Sequence, residues 1–216
     1  MMRDTLIDRL DHISVQAANT GEASQHLATV LGASPSSDAA GADGALVRLP
    51  ASNISVEIGP ATSSGGSPEA GLGFVVSDLA EACRRLERRA LTVASSGHGR
   101  AALDPESTHG VQIALVEGQR GEIAETALPD IAGLDHVVVR TSDPERAVAL
   151  YGGRLGLDLR LDRSNPAWGS RLLFFVVGDL VVEVSHDLKR GITGDPDRIW
   201  GLAWRSRDIR RTHARL

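Results

Sequence analysis

The sequence predicts an α+β fold assembled from a repeated unit of one strand, one helix and further strands, and three observations carry that expectation. The first is a coarse internal duplication. LDHISV begins at Leu10 and LDHVVV at Leu134, 124 residues later. Leu31-Gly32 returns as Leu155-Gly156 at the same offset, Glu57 of NISVEI as Glu183 of DLVVEV at 126, and GLGFVVSDL from Gly71 as GLAWRSRDI from Gly201 at 130. Matches in one order with so little drift mark paired or stacked supersecondary units. The second observation is the change of hydrophobic period within each repeat, from alternation to a helical stripe and back. The third is punctuation: Gly32, Asp78 and Asp143-Pro144 stand where helices should stop or start.

Taken in order, residues 10–15 alternate, with Ile13 and Val15 on one face and His12 and Ser14 on the other. Residues 21–31 read as a short helix closed by Gly32. ALVRLP and NISVEIGP follow as strands, separated by a turn at Pro50 to Ser52. A Ser/Gly/Pro segment at 62–68 leads to a second unit, with a strand at 72–76 and a helix capped by Asp78. The apolar stripe of that helix is Leu79, Ala82, Cys83, Leu86 and Ala90. Further strands close the unit, the last being VQIALV at 111–116. Residues 119–132 are charged, contain Pro129 and lack periodicity, so they read as a linker between a first domain at 1–118 (modules about 8–60 and 70–118) and a second at 133–216. In the second domain a helix over Arg146 to Leu155 precedes the strands RLLFFVV and DLVVEVS. The segment WGLAWRSRDIRRTHARL then repeats one strand and part of a helix. Leu216 aligns with Leu86, so the second domain is expected to be incomplete at its C-terminus, with an open sheet edge that a partner or further sequence should cover.

Composition narrows the function classes. Of 216 residues, 42% are hydrophobic and 24% charged, an ordinary globular balance. The net charge is -5 and the 23 basic residues are spread along the chain, which argues against a nucleic-acid footprint. Arg207, Arg210, Arg211 and Arg215 cluster, but read as the solvated side of a helix. One cysteine, Cys83, excludes an intrachain disulfide and a Cys-rich metal site. MMRDTLIDRLDH has no apolar signal region, and the longest apolar run, Leu172 to Val177, is far too short to span a bilayer. A cytoplasmic protein without membrane association is the expectation. The glycines near Gly97, Gly99 and Gly110 form neither GxGxxG nor a Walker motif, so no nucleotide cofactor is expected.

LDHISV and LDHVVV, each followed by a helix ending in Leu-Gly and later by a strand with a central Glu, resemble the vicinal oxygen chelate superfamily. That group includes glyoxalase I, extradiol dioxygenases, methylmalonyl-CoA epimerases and bleomycin-resistance proteins. LDPESTHGVQIALVE, from Leu103 to Glu117, is similar to the last strand region of its epimerase-like members. The resemblance spans nearly the whole chain. It implies paired βαβββ modules curling into incomplete, cleft-enclosing barrels. It also implies one divalent metal (Zn, Fe, Mn, Ni or Mg), held by a His of the first strand, an acid of the fourth, and a His and Glu from the partner module.

His12 and Glu57 match the first pair of ligands in copy one, and His136 and Glu183 match it in copy two. The partner-module positions depart from the pattern: Gly71 and Ala114 stand where a His and a Glu would be, and Gly201 replaces the His in copy two. Gln112 and His109 are the residues that could complete the first site. Copy two is expected to carry the better site, with His136 and Glu183 as ligands and as the catalytic pair. Arg160, Arg171 and Arg205 are candidates for holding an anionic substrate. The concentration of Trp168, Trp200, Trp204, Phe174, Phe175 and Tyr151 in copy two suggests an aromatic-lined cleft or a packed core. His186 has the opposite strand parity to Glu183 and should not share its cavity, while His26, His98 and His213 read as surface residues. Two functions remain open. One is a glyoxalase- or dioxygenase-like protein acting on a small oxygenated molecule, its isomerase, lyase or dioxygenase chemistry undecided. The other is a metal-free binding or scaffold protein whose His and Glu merely pair. A small-molecule ligand is expected in both, and a homodimer is a candidate assembly.

Overall fold

The computed structural model describes residues 6–33, 47–51, 53–61, 70–118 and 128–216. The Ser/Gly/Pro segment at 62–68 and most of the expected linker, 119–127, lie outside the described residues. The chain begins with β1 (Arg9–Ala17), α1 (Thr20–Leu31), β2 (Val47–Ala51) and β3 (Ile54–Pro60). It continues with β4 (Ala70–Val76), α2 (Leu79–Arg88), β5 (Val93–Gly97), β6 (Arg100–Leu103) and β7 (Gln112–Glu117). The second copy holds β8 (Ile131–Arg140), α3 (Pro144–Ala147), β9 (Asp158–Asn165), β10 (Ser170–Val177) and β11 (Leu180–Asp187). A further strand and helix follow, β12 (Arg198–Ser206) and α4 (Ile209–Arg215).

These strands form two open mixed sheets, of order β2-β3-β1-β4-β7-β6-β5 and β12-β8-β11-β10-β9. Within each unit the first strand runs parallel to the last, as in β1/β3, β4/β7 and β8/β11. Between units the first strands pair antiparallel, β1 with β4 and β8 with β12. The architecture is therefore α+β with duplicated βαβββ-like units, in sheets that are not closed into barrels.

Local chemistry explains the elements. Each helix starts on an Asx cap: Asn19 accepts from the Glu22 N–H, Asp78 from Glu81, Asp143 from Glu145 and Arg146, and Asp208 from Arg210 and Arg211. Such a cap stabilises its helix by about 1 kcal/mol. Gly32 ends α1 at φ 68, a left-handed conformation in which a side chain would be strained. Three expectations shift. The strand β2 runs through Pro50 to Ala51, two positions expected in the turn. The helix read as Arg146 to Leu155 is α-helical only to Ala147 and continues as a π-helical segment over Val148–Arg154. Gly152 and Gly153, weak helix formers, lie in that wide turn. Finally, β8 starts at Ile131, inside the expected linker, because Leu128 and Ile131 are both buried.

One face of each sheet packs on the helices. In the first sheet that face includes Ile13, Val56, Ile58, Phe74 and Leu115, and in the second Val137, Val139, Leu173, Phe175 and Val182, all but inaccessible to solvent. Tyr151 and Phe175 pack together there with ring centroids 5.5 Å apart, so these two aromatics serve the core rather than a cleft. Cys83 packs at the margin of the core, and burial raises its thiol pKa.

The two copies are joined by specific polar contacts. Buried Asn53 accepts from the Leu134 N–H at 2.8 Å and donates to the Leu134 carbonyl at 3.1 Å, completing backbone bonding that β8 lacks at that point. Gly133 makes this approach possible, since a Cβ there would lie 2.7 Å from the Asn53 carboxamide oxygen. Arg215 ion-pairs with buried Asp130 and donates to the Thr29 and Val30 carbonyls at the C-terminus of α1. Arg211 also pairs with Asp130, so the basic cluster is not simply a solvated helix face. Asn53→Ala leaves both Leu134 groups unsatisfied and is expected to lower the unfolding free energy by about 2–4 kcal/mol, read from the urea midpoint. A change within error would mean that the Asn53 contact does not hold the copies together.

Candidate metal and ligand site

The LDH segment does something strand alternation alone does not predict. Adjacent residues of a strand point to opposite faces, yet Asp11 and His12 meet. The pairing of β1 with β4 shifts register between Leu10 and His12, and that of β8 with β12 shifts across Asp135. A bulge of this kind redirects a side chain. Here it sets each Asp against the ring beside it: His12 Nδ1 is 2.9 Å from Asp11 Oδ2, and His136 Nδ1 is 2.8 Å from Asp135 Oδ2. On the other side of each ring, His12 Nε2 lies 3.4 Å from Glu57 Oε2 and His136 Nε2 lies 3.4 Å from Glu183 Oε2. The parallel pairing of first and last strands brings His and Glu together, and it does so in both copies.

The arrangement constrains charge. Each imidazole has a carboxylate oxygen beside both ring nitrogens, Asp at Nδ1 and Glu at Nε2, so negative charge flanks the ring on two sides. The separation of 3.4 Å is long for a hydrogen bond. It does match two ligands each about 2.1 Å from a common ion, which subtend about 108° and so fit a tetrahedral site. The Asp on Nδ1 is the outer partner that metal-bound histidines commonly have. Asp11, His12 and Glu57 form a cluster compact enough to coordinate a divalent metal.

The two copies differ in what lies over the glutamate. Glu57 and His12 are buried, and Arg100 of β6 donates two bonds to the Glu57 carboxylate, from its terminal nitrogens at 2.9 and 2.5 Å. This hydrogen bonding raises the Arg100 pKa against the opposing effect of burial. The partner unit thus supplies a guanidinium where a histidine or glutamate was expected. Little else fits: the His12 ring lies directly over Gly73, and a Cβ on Gly71 would come within 2.5 Å of Ser14 Oγ. Both residues considered for completing the site make other contacts. Gln112 accepts from Gln16 at 3.0 Å. His109 sits in a turn at the junction with the second copy, its carbonyl accepting from the Asp197 N–H, and its pKa is lowered by burial and then by Arg146.

In copy two, no guanidinium is bonded to Glu183 among the described residues, and the His136 and Glu183 side chains remain 29% and 17% exposed. They share their sheet face with Val138, Leu172 and Phe174, all half-buried. His186 is on the opposite face, with Nδ1 toward the Thr141 carbonyl, as its parity requires. The arginines picked from sequence are otherwise engaged: Arg160 pairs with Asp158, Arg171 with Asp162 and Glu145, and Arg205 lies 3.8 Å from Asp135. His26, His98 and His213 are exposed. Asp11, Asp135 and Arg100 went unrecognised in the sequence. The first two had a signal in the repeated Asp-His dipeptide, whereas Arg100 had none beyond the need of a buried carboxylate for a cation.

With this geometry in place, likeness to solved structures is informative. A mutant of 4-hydroxymandelate synthase from Streptomyces coelicolor superposes with a TM-score of 0.71 at 13% identity, over 98% of this chain and 76% of that one. A halotolerant catechol dioxygenase gives 0.64 at 15% identity, over 97% and 74%. The chain therefore shares the fold of these two structures. Methylmalonyl-CoA epimerase from Mycobacterium tuberculosis matches over 55% of this chain and 93% of that one, at 23% identity and a TM-score of 0.43. No protein-family model matches the chain, and no curated sequence does. No helix among the described residues is long and apolar enough to cross a membrane.

Arg100→Ala removes the cation from buried Glu57. Unfolding free energy in metal-free buffer is expected to fall by about 1–2 kcal/mol, discounted for the partial exposure of Arg100. Added zinc should restore part of that loss in the variant and leave the wild type unchanged. Equal zinc effects on both proteins would show that Arg100 does not compete with a metal.

Proposed function

We propose that the chain is a vicinal oxygen chelate protein acting on a small oxygenated organic molecule at the second sheet, with His136 and Glu183 as metal ligands and site residues. The observation that carries this reading is the His136–Glu183 pair at 3.4 Å on a half-exposed face, free of the guanidinium that covers Glu57. Asp135 orients the ring, and Val138, Leu172 and Phe174 give the surroundings an apolar character suited to the body of an organic ligand. A divalent ion bound there would act as a Lewis acid, polarising a carbonyl or stabilising an enediolate oxygen. Two protein ligands leave several positions for water and substrate oxygens. The same count makes the site weak, so metal and substrate should stabilise one another's binding.

A second reading is favoured by Arg100. In the first copy the protein's own cation already neutralises the glutamate, as expected of a metal-free member of the fold that binds without turning over. Under this reading His136 and Glu183 merely pair with each other, with Asp135 on the far side of the ring.

Elemental analysis separates the two. The first reading predicts about one equivalent of a divalent metal on the wild type, lost in His136→Ala and Glu183→Ala and retained in His12→Ala. Absence of metal from all four proteins, after dialysis against zinc, iron and manganese in turn, would place the binding-protein reading first.

A further inference from the structure

A cavity of about 440 Å³ opens where β8, β11 and β12 meet the loop that joins β11 to β12. Arg140, Ser185, His186, Arg190, Thr193 and Arg198 line it. Its position relates it to the site already described. Ser185 is two residues beyond Glu183 on the same face of β11, and Arg140 four beyond His136 on the same face of β8. At a rise of about 3.3 Å per residue these steps are roughly 7 and 13 Å.

The charges in this cavity are unbalanced in a specific way. Among the described residues, Arg140, Arg190 and Arg198 have no carboxylate partner; Arg163, Arg207 and Arg210 also have none, but only the first three line one cavity. The two acids of the lining are turned to their own loops: Asp187 accepts from the Lys189 N–H and Asp195 from the Thr193 hydroxyl. Arg140 is also placed. Its guanidinium lies over the Trp200 ring, 5.0 Å from the centroid, a contact that uses none of its N–H donors on a carboxylate. The wall opposite is held firmly. Ser142 donates to the Thr193 and Asp195 carbonyls, and Arg146 to the Asp195 carbonyl and the Asp197 carboxylate.

We infer that this cavity binds the anionic end, a carboxylate or phosphate, of the molecule whose oxygenated end reaches His136 and Glu183. The inference rests on the proposed reading of that pair and narrows its substrate class to organic anions long enough to bridge about 7–13 Å. Edge N–H groups of Arg140 and Arg198 present the forked donors that an oxyanion accepts two at a time. Ser185 supplies a hydroxyl between the two ends of the ligand.

Calorimetric titration of the full chain with inorganic phosphate and with succinate tests it, each run in buffer with and without a chelator. Wild type should bind at least one of the two, and which one binds tells phosphate from carboxylate. The Arg140→Ala/Arg198→Ala double variant should lose tenfold or more in affinity, Arg140→Lys severalfold, and Arg160→Ala nothing. Binding that survives the chelator supports the cavity even if elemental analysis has found no metal, so the two readings can fail separately. Failure of both anions to bind, equal affinity in the double variant, or loss of binding on chelation would each overturn the inference.

Discussion

The first strands β1, β4 and β8 are each shared between two pairings, and the rest of the molecule is arranged around that constraint. On one edge each runs parallel to the last strand of its own unit, and on the other antiparallel to the first strand of its neighbour. The parallel pairing places His beside Glu. The antiparallel pairing carries the bulge that turns Asp onto the same ring. Neither strand pairing could form from local sequence alone, because the paired residues are separated by more than 40 positions. Helices cover the opposite face of each sheet, so the His–Glu pairs lie on the face away from them.

The same three residue types therefore meet twice with nearly the same distances, and the copies diverge through what surrounds them. In the first sheet the His–Glu pair is sealed under Arg100 and neighboured by Ser14, Ser55 and Gln112. In the second, apolar side chains flank it and the glutamate keeps an open side. Duplication has preserved the pairing while the electrostatic surroundings have changed, so one copy satisfies its carboxylate internally and the other leaves it available. That contrast in charge is the main difference between the two copies at this position.

Much of the architecture was legible because the signals are local or repeated. Asp78, Asp143 and Gly32 mark helix ends by backbone chemistry, and the offset of LDH segments reports the duplication before any strand is assigned. His12, Glu57, His136 and Glu183 were singled out through that repeat. What was not legible depends on long-range geometry. Arg100 reaches Glu57 across 43 residues, from a strand whose sequence, RAAL, carries little pattern. The bulges that engage Asp11 and Asp135 are properties of strand register. Arg160, Arg171 and Arg205 were chosen by their place in strands, but nearby carboxylates claim all three. Arg140 and Arg198, which such partners leave free, differ from them only in the surroundings the fold provides.

The contact between Arg215 and the last carbonyls of α1 spans up to 186 residues. During synthesis the first copy can acquire its helices and sheet long before that guanidinium leaves the ribosome. Through that interval the C-terminal turn of α1 must rely on Gly32 and water. The positive charge that complements its dipole arrives only once α4 has formed and docked. Maturation of the early half is therefore tied in time to the emergence of the late half, and a nascent chain stalled short of α4 would carry a first copy that is folded yet still fraying at this one helix end.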